Sequence, residues 1–460
     1  MNRFLCMLLV CALPVCSTAA TDAATTPAAS PQEKCRLRSS EFLAALRSGA
    51  YTNASSHFDA NLGVHLSAGK LEQVWHDVLT AQYGTIVRSA DTSVSKRADG
   101  GTLAETPLEF ANGRLVLRVS CNTDDTIGGV FFVPDTAPAT SNVAAPARAD
   151  SGFVEKDLAV ASPLGPLPGT LTLPNGDANV PAVLLIAGSG PNDRDETIGP
   201  NKPLADIAHG LAAHGIASLR YDKRTRVYAN KITGNITVDD EVTDDALVAL
   251  KTLMQQPRID GKQVFVLGHS LGALMLPRIL SRAPAVAGGI ALAAPATLDL
   301  DIILRQMHYV ADVQHATPQQ IEAAIAPVVA ARDAIAHADP RHPPSGEFFH
   351  APASYWLSLR DYDAVAASKN LKQPLLVLQG EGDYQVTPKE DFAKWHRAFA
   401  GDSRVTLKQY PGLSHLFMPA GSPPSPADYA KPAHVDAKVI HDLVAWITTQ
   451  VHGQVRVDVN

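Results

Sequence analysis

Basic residues are too few here to form a nucleic-acid footprint. The chain has 39 lysines and arginines against 46 aspartates and glutamates, a net charge of −7, and no cationic stripe. Charge is sparse altogether, at 18% of residues, while 46% are hydrophobic. That balance excludes a disordered chain and leaves ample apolar material for a core. The apolar run from Phe4 to Cys16 is too short to span a bilayer. Walker loops, dinucleotide fingerprints, zinc-type His/Cys spacings and internal repeats are all missing, so neither cofactor nor metal is expected. Nothing in the sequence bears on oligomeric state. Cysteine is scarce, and of the five, Cys6, Cys11 and Cys16 fall in the first sixteen residues.

Those sixteen belong to "MNRFLCMLLVCALPVCSTAA", where Arg3, an apolar run and then small residues have the layout of a secretory signal peptide. Cleavage after Ala19 or Ala20 is expected, giving an exported protein, periplasmic or secreted. A lipid anchor on Cys16 is the weaker reading, because Pro14 and Val15 fit poorly at positions that favour small residues. Only Cys35 and Cys121 then remain. An even pair in an oxidising compartment points to one disulfide, worth on the order of 4 kcal/mol in the chain-entropy model. Two separate buried thiols are the alternative.

At 460 residues, more than one domain is expected. An Ala/Thr/Pro linker at 21–34 follows the signal segment. Residues 35–133 open with helical patterns and continue as alternating strand-like runs, with Asn112-Gly113 as a hairpin turn, which predicts a small α+β domain. A second linker covers 134–152. From 153 to 460 the rhythm changes to alternating strands and helices, "PAVLLIAG", "LADIAHGLAAHG", "IASLRYD" and onward, the pattern of a doubly wound, mostly parallel sheet. Residues 298–368 interrupt it with a helical stretch too long for a simple connection, read as a cap over an active site.

One motif lies inside that rhythm. "VFVLGHSLGALML" places Ser270 between Gly268 and Gly272, at a turn from strand to helix. With 31 glycines, chance alone would give a Gly-x-Ser-x-Gly in roughly a tenth of such chains, so context decides. A serine hydroxyl is a weak nucleophile. It must be exposed at the carboxyl edge of a sheet beside a base, and flanking glycines remove the side chains that a sharp turn would crowd. The base must be a histidine oriented by an acid. His396 and His441 fall within helical patterns, and His434 and His452 flank the last helix. Only His415, in "QYPGLSHLF", sits in a loop directly after a strand. Asp383, in "PLLVLQGEGDYQVTP", sits likewise; Glu381 is its near rival, and Asp361 and Asp363 belong to the insertion. His337 and His342 lie in a Pro-rich stretch and read as surface residues.

The order Ser270, Asp383, His415 is that of the α/β-hydrolase triad. Residues 153–460 resemble that superfamily. Within it, "AGSGPNDRDETIG" (187–199) with "LRYDKR" (219–224) resembles secreted or periplasmic bacterial carboxylesterases that carry a small preceding domain, which residues 35–133 resemble less closely. Two departures stand out: Ala187-Gly188-Ser189 replaces the common His-Gly-x, and Thr225-Arg226-Val227 replaces glycines after "YDKR". A serine at the elbow disfavours the aspartate chemistry of haloalkane dehalogenases and epoxide hydrolases. Acyl transfer also needs two backbone N–H groups for the oxyanion. Leu271, the residue after the nucleophile, is expected to supply one, and Ser189 or Gly190 the other. Gly188 allows close backbone approach, and Asn192, Arg194 and Asp195 are expected to brace the loop. The expected function is hydrolysis of small-molecule carboxylic esters through an acyl-enzyme. A serine peptidase or aminoacyl-ester hydrolase is the alternative enzyme, and a non-catalytic envelope binding protein the alternative class.

Overall fold

The computed structural model describes residues 30–134 and 152–455, apart from residues 81, 82, 98, 99, 112, 230, 233 and 350. The signal segment with Cys16, most of the 21–34 and 134–152 linkers, and Asn112 lie outside the described residues. Near residue 146 the chain divides into two compact units.

In the N-terminal unit, helix α1 (Pro31–Arg47) starts at Ser30, whose side chain accepts from the Glu33 N–H, with proline at the first helical position. An antiparallel sheet of β1 (Ile86–Ser89), β2 (Ser93–Lys96), β3 (Thr102–Phe110), β4 (Gly113–Cys121) and β5 (Ile127–Pro134) follows. Burial along β3 alternates strictly, so Ala104, Leu108 and Phe110 share one face. That face packs into a core with Phe42, Leu43 and Leu46 of α1. A disulfide joins Cys35 of α1 to Cys121 at the end of β4.

The C-terminal unit is built on an eight-stranded sheet in the order β15-β14-β11-β10-β8-β9-β7-β6. Its strands are β6 (Phe153–Val160), β7 (Leu167–Pro174), β8 (Val180–Ile186), β9 (Ala217–Tyr221), β10 (Ile259–His269), β11 (Gly288–Leu292), β14 (Leu375–Gly380) and β15 (Val405–Tyr410). Strands β8 to β11, β14 and β15 run parallel, while β7 and β6 are antiparallel additions at one edge. The continuous apolar runs explain this, because a strand covered by helices on both faces has no solvated side. Leu184, Ile186, Val264 and Val266 pack with Ala246, Leu250, Leu274 and Ile279 on one face. Val183, Leu185, Phe265 and Leu267 pack with Leu204, Ile207, Leu443 and Trp446 on the other.

The helices that carry these residues are α2 (Pro203–Ala212), α3 (Asp244–Met254), α4 (Leu271–Arg282) and the final helix from Ala437 to Val455. Between β11 and β14 the insertion forms α5 (Leu300–Val313), α6 (Pro318–Ala336), the two-residue strands β12 (Glu347–Phe348) and β13 (Ala351–Pro352), and α7 (Ala353–Leu359). The stretch after "YDKR", where glycines were absent, is a single helical turn from Arg224 to Val227. Among the described residues no helix is long and apolar enough to cross a membrane. Nor does any group of three or more His, Cys, Asp or Glu side chains among them have the arrangement to hold a metal ion.

Candidate active site

Because β10, β14 and β15 are parallel, their carboxyl ends meet at one edge of the sheet, and each delivers a loop there. Ser270 follows β10 and caps α4 with φ 51° and ψ −113°. A non-glycine residue held in that region stores roughly 1–3 kcal/mol of strain, which the surrounding structure must over-determine. It does so through the backbone. The Ser270 N–H donates to Leu292 O at 2.9 Å, and its carbonyl accepts from the Leu274 N–H at 2.9 Å. The flanking glycines are obligatory: a Cβ at Gly268 would collide with the Gly272 carbonyl, and one at Gly272 would lie 2.6 Å from Ile186 O. Leu271 is the first residue of α4, so its N–H has no intrahelical acceptor.

His415 and Asp383 are both buried, and His415 Nδ1 lies 2.7 Å from Asp383 Oδ2. Asp383 gathers three further donors. Oδ2 accepts from Gln379 Nε2 at 3.0 Å, and Oδ1 accepts from the Gln385 and Val386 N–H groups at 2.8 and 2.9 Å. Every partner donates, so the carboxylate acts as acceptor only and a neutral His415 carries its hydrogen on Nδ1. Its Nε2 is left with the lone pair that a general base requires. The rival residues lie elsewhere. Glu381, Asp361, His396, His441 and His452 are exposed, and Asp363 caps the Ala364–Ser368 helix. His434 pairs with Asp206, His342 with Asp339, and His337 with the Asp333 carbonyl.

The loop of residues 187–199 abuts the serine: a Cβ on Gly188 would lie 3.1 Å from Ser270 Cβ. Its conformation is held by side chains from several elements. The Gly188 carbonyl accepts from Asn192 Nδ2 at 3.0 Å and from the Lys223 ammonium. A trans peptide directs its N–H opposite to its carbonyl, so the Ser189 N–H faces away from both. The Gly190 N–H donates to Glu241 Oε1 at 2.8 Å and is thereby engaged within the loop's own bracing. Arg194 grips Asp222 with its backbone N–H, Nε and Nη2. Asp195 pairs with Arg220 at 2.8 Å and Lys202 at 3.1 Å. Asn192, Arg194 and Asp195 thus all bind, but the two charged residues pair with the end of β9 and with Lys202 rather than with each other.

Five buried residues escaped the sequence reading. Glu241, in the acidic run "DDEVTDD", pairs with Lys223 Nζ at 3.0 Å, with the Tyr355 hydroxyl of α7 near it. Burial would raise the Glu241 pKa, but Lys223 and the Tyr355 hydroxyl hold it below the usual carboxylate range. Glu196 accepts from the Gly188 N–H at 2.7 Å and faces His269 Nδ1 at 2.9 Å. The signal was available, since Lys223 lies in "LRYDKR" and Glu196 in "DRDET", but such stretches show that residues matter without showing to what. The insertion also reaches the site. Tyr309 of α5 stacks on Tyr384, next to Asp383, at 5.3 Å, and Gln306 Nε2 donates to Gln385 O at 3.0 Å. Burial pushes the Tyr384 hydroxyl up to about 12.

The family described as serine aminopeptidase, S33, matches residues 202–419. Esterase EstD of Thermotoga maritima is 34% identical over 408 residues, covering 88% of this chain and 93% of that protein. Among solved structures, the Pyrococcus furiosus esterase Pf2001 is 19% identical with a TM-score of 0.38, covering 57% of this chain and 84% of that one. Est1E of Butyrivibrio proteoclasticus is 14% identical with a TM-score of 0.40, covering 64% and 99%.

Proposed function

The chain belongs to the α/β-hydrolase family and is a hydrolase of the esterase kind, and from that premise we propose that it cleaves carboxylic esters through an acyl-enzyme on Ser270. Ser270 Oγ attacks the ester carbonyl while His415 Nε2 takes its proton, and Asp383 holds the ring through Nδ1. The tetrahedral oxyanion receives the N–H groups of Leu271 and Ser189, each worth about 3–4 kcal/mol in the transition state. His415 then returns the proton to the leaving alcohol. Water attacks the acyl-enzyme, His415 takes its proton, and the carboxylic acid leaves with Ser270 regenerated. The observation that carries this reading is the buried His415–Asp383 hydrogen bond of 2.7 Å at the sheet edge where Ser270 stands. EstD, an esterase by name, favours esters.

The serine aminopeptidase match supports a second reading, because the same triad opens amides. Nitrophenyl acyl esters of graded chain length, assayed beside chromogenic peptide amides, separate the two. Turnover of the esters with weak or no amide cleavage is expected, and a peptidase-only profile overturns the ester reading. We further propose export by the first twenty residues, a reading that the Cys35–Cys121 disulfide supports. The mature protein is then expected to begin at Ala20 or Thr21. Retention of Met1, or a lipid on Cys16, overturns soluble export.

A further inference from the structure

We propose that Glu196 and His269 form a charged positioning pair that clamps the loop of the general base to the oxyanion loop. The proposal rests on the Ser270–His415–Asp383 reading. His269 directly precedes the serine, yet its side chain turns into the protein and is 5% exposed, against 2% for Glu196. Its Nε2 lies 2.9 Å from the main-chain oxygen of His415. A carbonyl can only accept, so Nε2 carries a hydrogen. Its Nδ1 lies 2.9 Å from Glu196 Oε1, the same oxygen that receives the Gly188 N–H. Glu196 Oε2 is buried and has no hydrogen-bond partner among the described residues, so a proton placed there would find no acceptor. Nδ1 and Oε1, 2.9 Å apart, need one proton between them, and imidazole is the stronger base, so the pair is a carboxylate facing an imidazolium with both ring nitrogens donating. Burial opposes a charged His269, but the Glu196 carboxylate outweighs it and holds the pKa above the ordinary histidine range.

The pair joins three loops. Gly188 follows β8, His269 ends β10, and His415 follows β15. Holding the Gly188 N–H at one end and the His415 carbonyl at the other sets the spacing between the Ser189 N–H and the His415 ring. That ring lies 4.7 Å, centroid to centroid, from the ring of His269. His269 and Glu196 act through backbone groups of their neighbours, which makes them positioning residues. Neutral replacements break the arrangement in a defined way. Asparagine at 269 cannot donate at both ends, and glutamine at 196 gives two converging donors one uncharged oxygen.

The test uses the full-length enzyme with a nitrophenyl acyl ester and a fluorophosphonate titrant. His269→Asn and Glu196→Gln are each expected to lower kcat on the order of 10²-fold, as a displacement near 1 Å does, with KM moving less than about threefold. The double variant is expected to fall no further than the worse single one, because the pair acts as a unit. Titration should still reach one site per chain, more slowly. Singles that fold and keep kcat within about threefold of the parent overturn the proposal, as do losses that multiply in the double variant. Absence of titration in the parent enzyme would instead mean that the triad reading had failed. Should the variants not fold, the parent protein decides through its ¹⁵N-histidine spectrum near neutral pH. Two slowly exchanging ring protons on His269 are expected, and a single ring proton overturns the proposal.

Discussion

Asp383 and the 187–199 loop stand at the same edge of the sheet, but different forces hold them. Asp383 is fixed by four hydrogen-bond donors, two from backbone N–H groups, one from Gln379 and one from His415, with no lysine or arginine among them. The 187–199 loop is held chiefly by charge: Lys223 with Glu241, Arg194 with Asp222, Arg220 with Asp195, and, in the pair proposed above, His269 with Glu196. The first arrangement is local, since its donors other than His415 lie within residues 379–386. The second is assembled from β9, the segment before α3, the end of β10 and the insertion. A hydrogen-bonded carboxylate is therefore sensitive to one change of donor or acceptor, while a charge-braced loop is sensitive to the loss of either member of any pair.

The largest expected effect breaks the local half. Asp383→Asn keeps the volume but presents an amide where two donors, Gln379 Nε2 and His415 Nδ1–H, already converge. We expect kcat to fall about 10⁴-fold with folding intact, measured on nitrophenyl esters. Next comes the charged half. Lys223→Met or Glu241→Gln leaves its partner buried without a counter-charge, and each is expected to lose about 3–5 kcal/mol in urea unfolding. Lys223→Met combined with Glu241→Gln should lose less than the sum of the two singles. Additive losses would show that the two charges do not act as a pair.

Smaller again is Tyr355→Phe, which removes the hydroxyl that the insertion places near Glu241. At most about 1.5 kcal/mol is expected, again read by urea unfolding. The smallest concerns the outer rim of the same brace. Glu155 is held down to about 2 by its hydrogen bond to His209, against burial, and by Arg220. A depressed carboxyl stabilises fully above its unfolded pKa and ceases to as pH falls through the folded value. Glu155 is 37% exposed, so the contribution is under about 1 kcal/mol. Glu155→Gln should lower Tm at neutral pH, and the difference should vanish as pH falls toward 2. A difference that survives there would show that shape, not charge, matters at this position.

The same contrast explains what was legible beforehand. Buried parallel strands announce themselves as continuous apolar runs, so the sheet and its carboxyl edge were readable. Ser270, Asp383 and His415 each follow such a strand within a few residues, and strand order alone brings them to one edge. The brace could not be read this way. Glu241 lies in a run of acidic residues typical of any helix start, and nothing local connects it to Gly190, 51 residues away. That single long-range bond, which engages the Gly190 N–H, is invisible in the local sequence. His269 passed as a variable position within the serine motif because its two partners, Glu196 and the His415 carbonyl, come from distant loops.

The most direct test of the account is covalent labelling of the folded enzyme with a fluorophosphonate, followed by peptide mass mapping. One adduct per chain is predicted, on the peptide that carries Ser270, and none in Ser270→Ala. A folded enzyme that takes no label, or one whose adduct persists in Ser270→Ala, would contradict it.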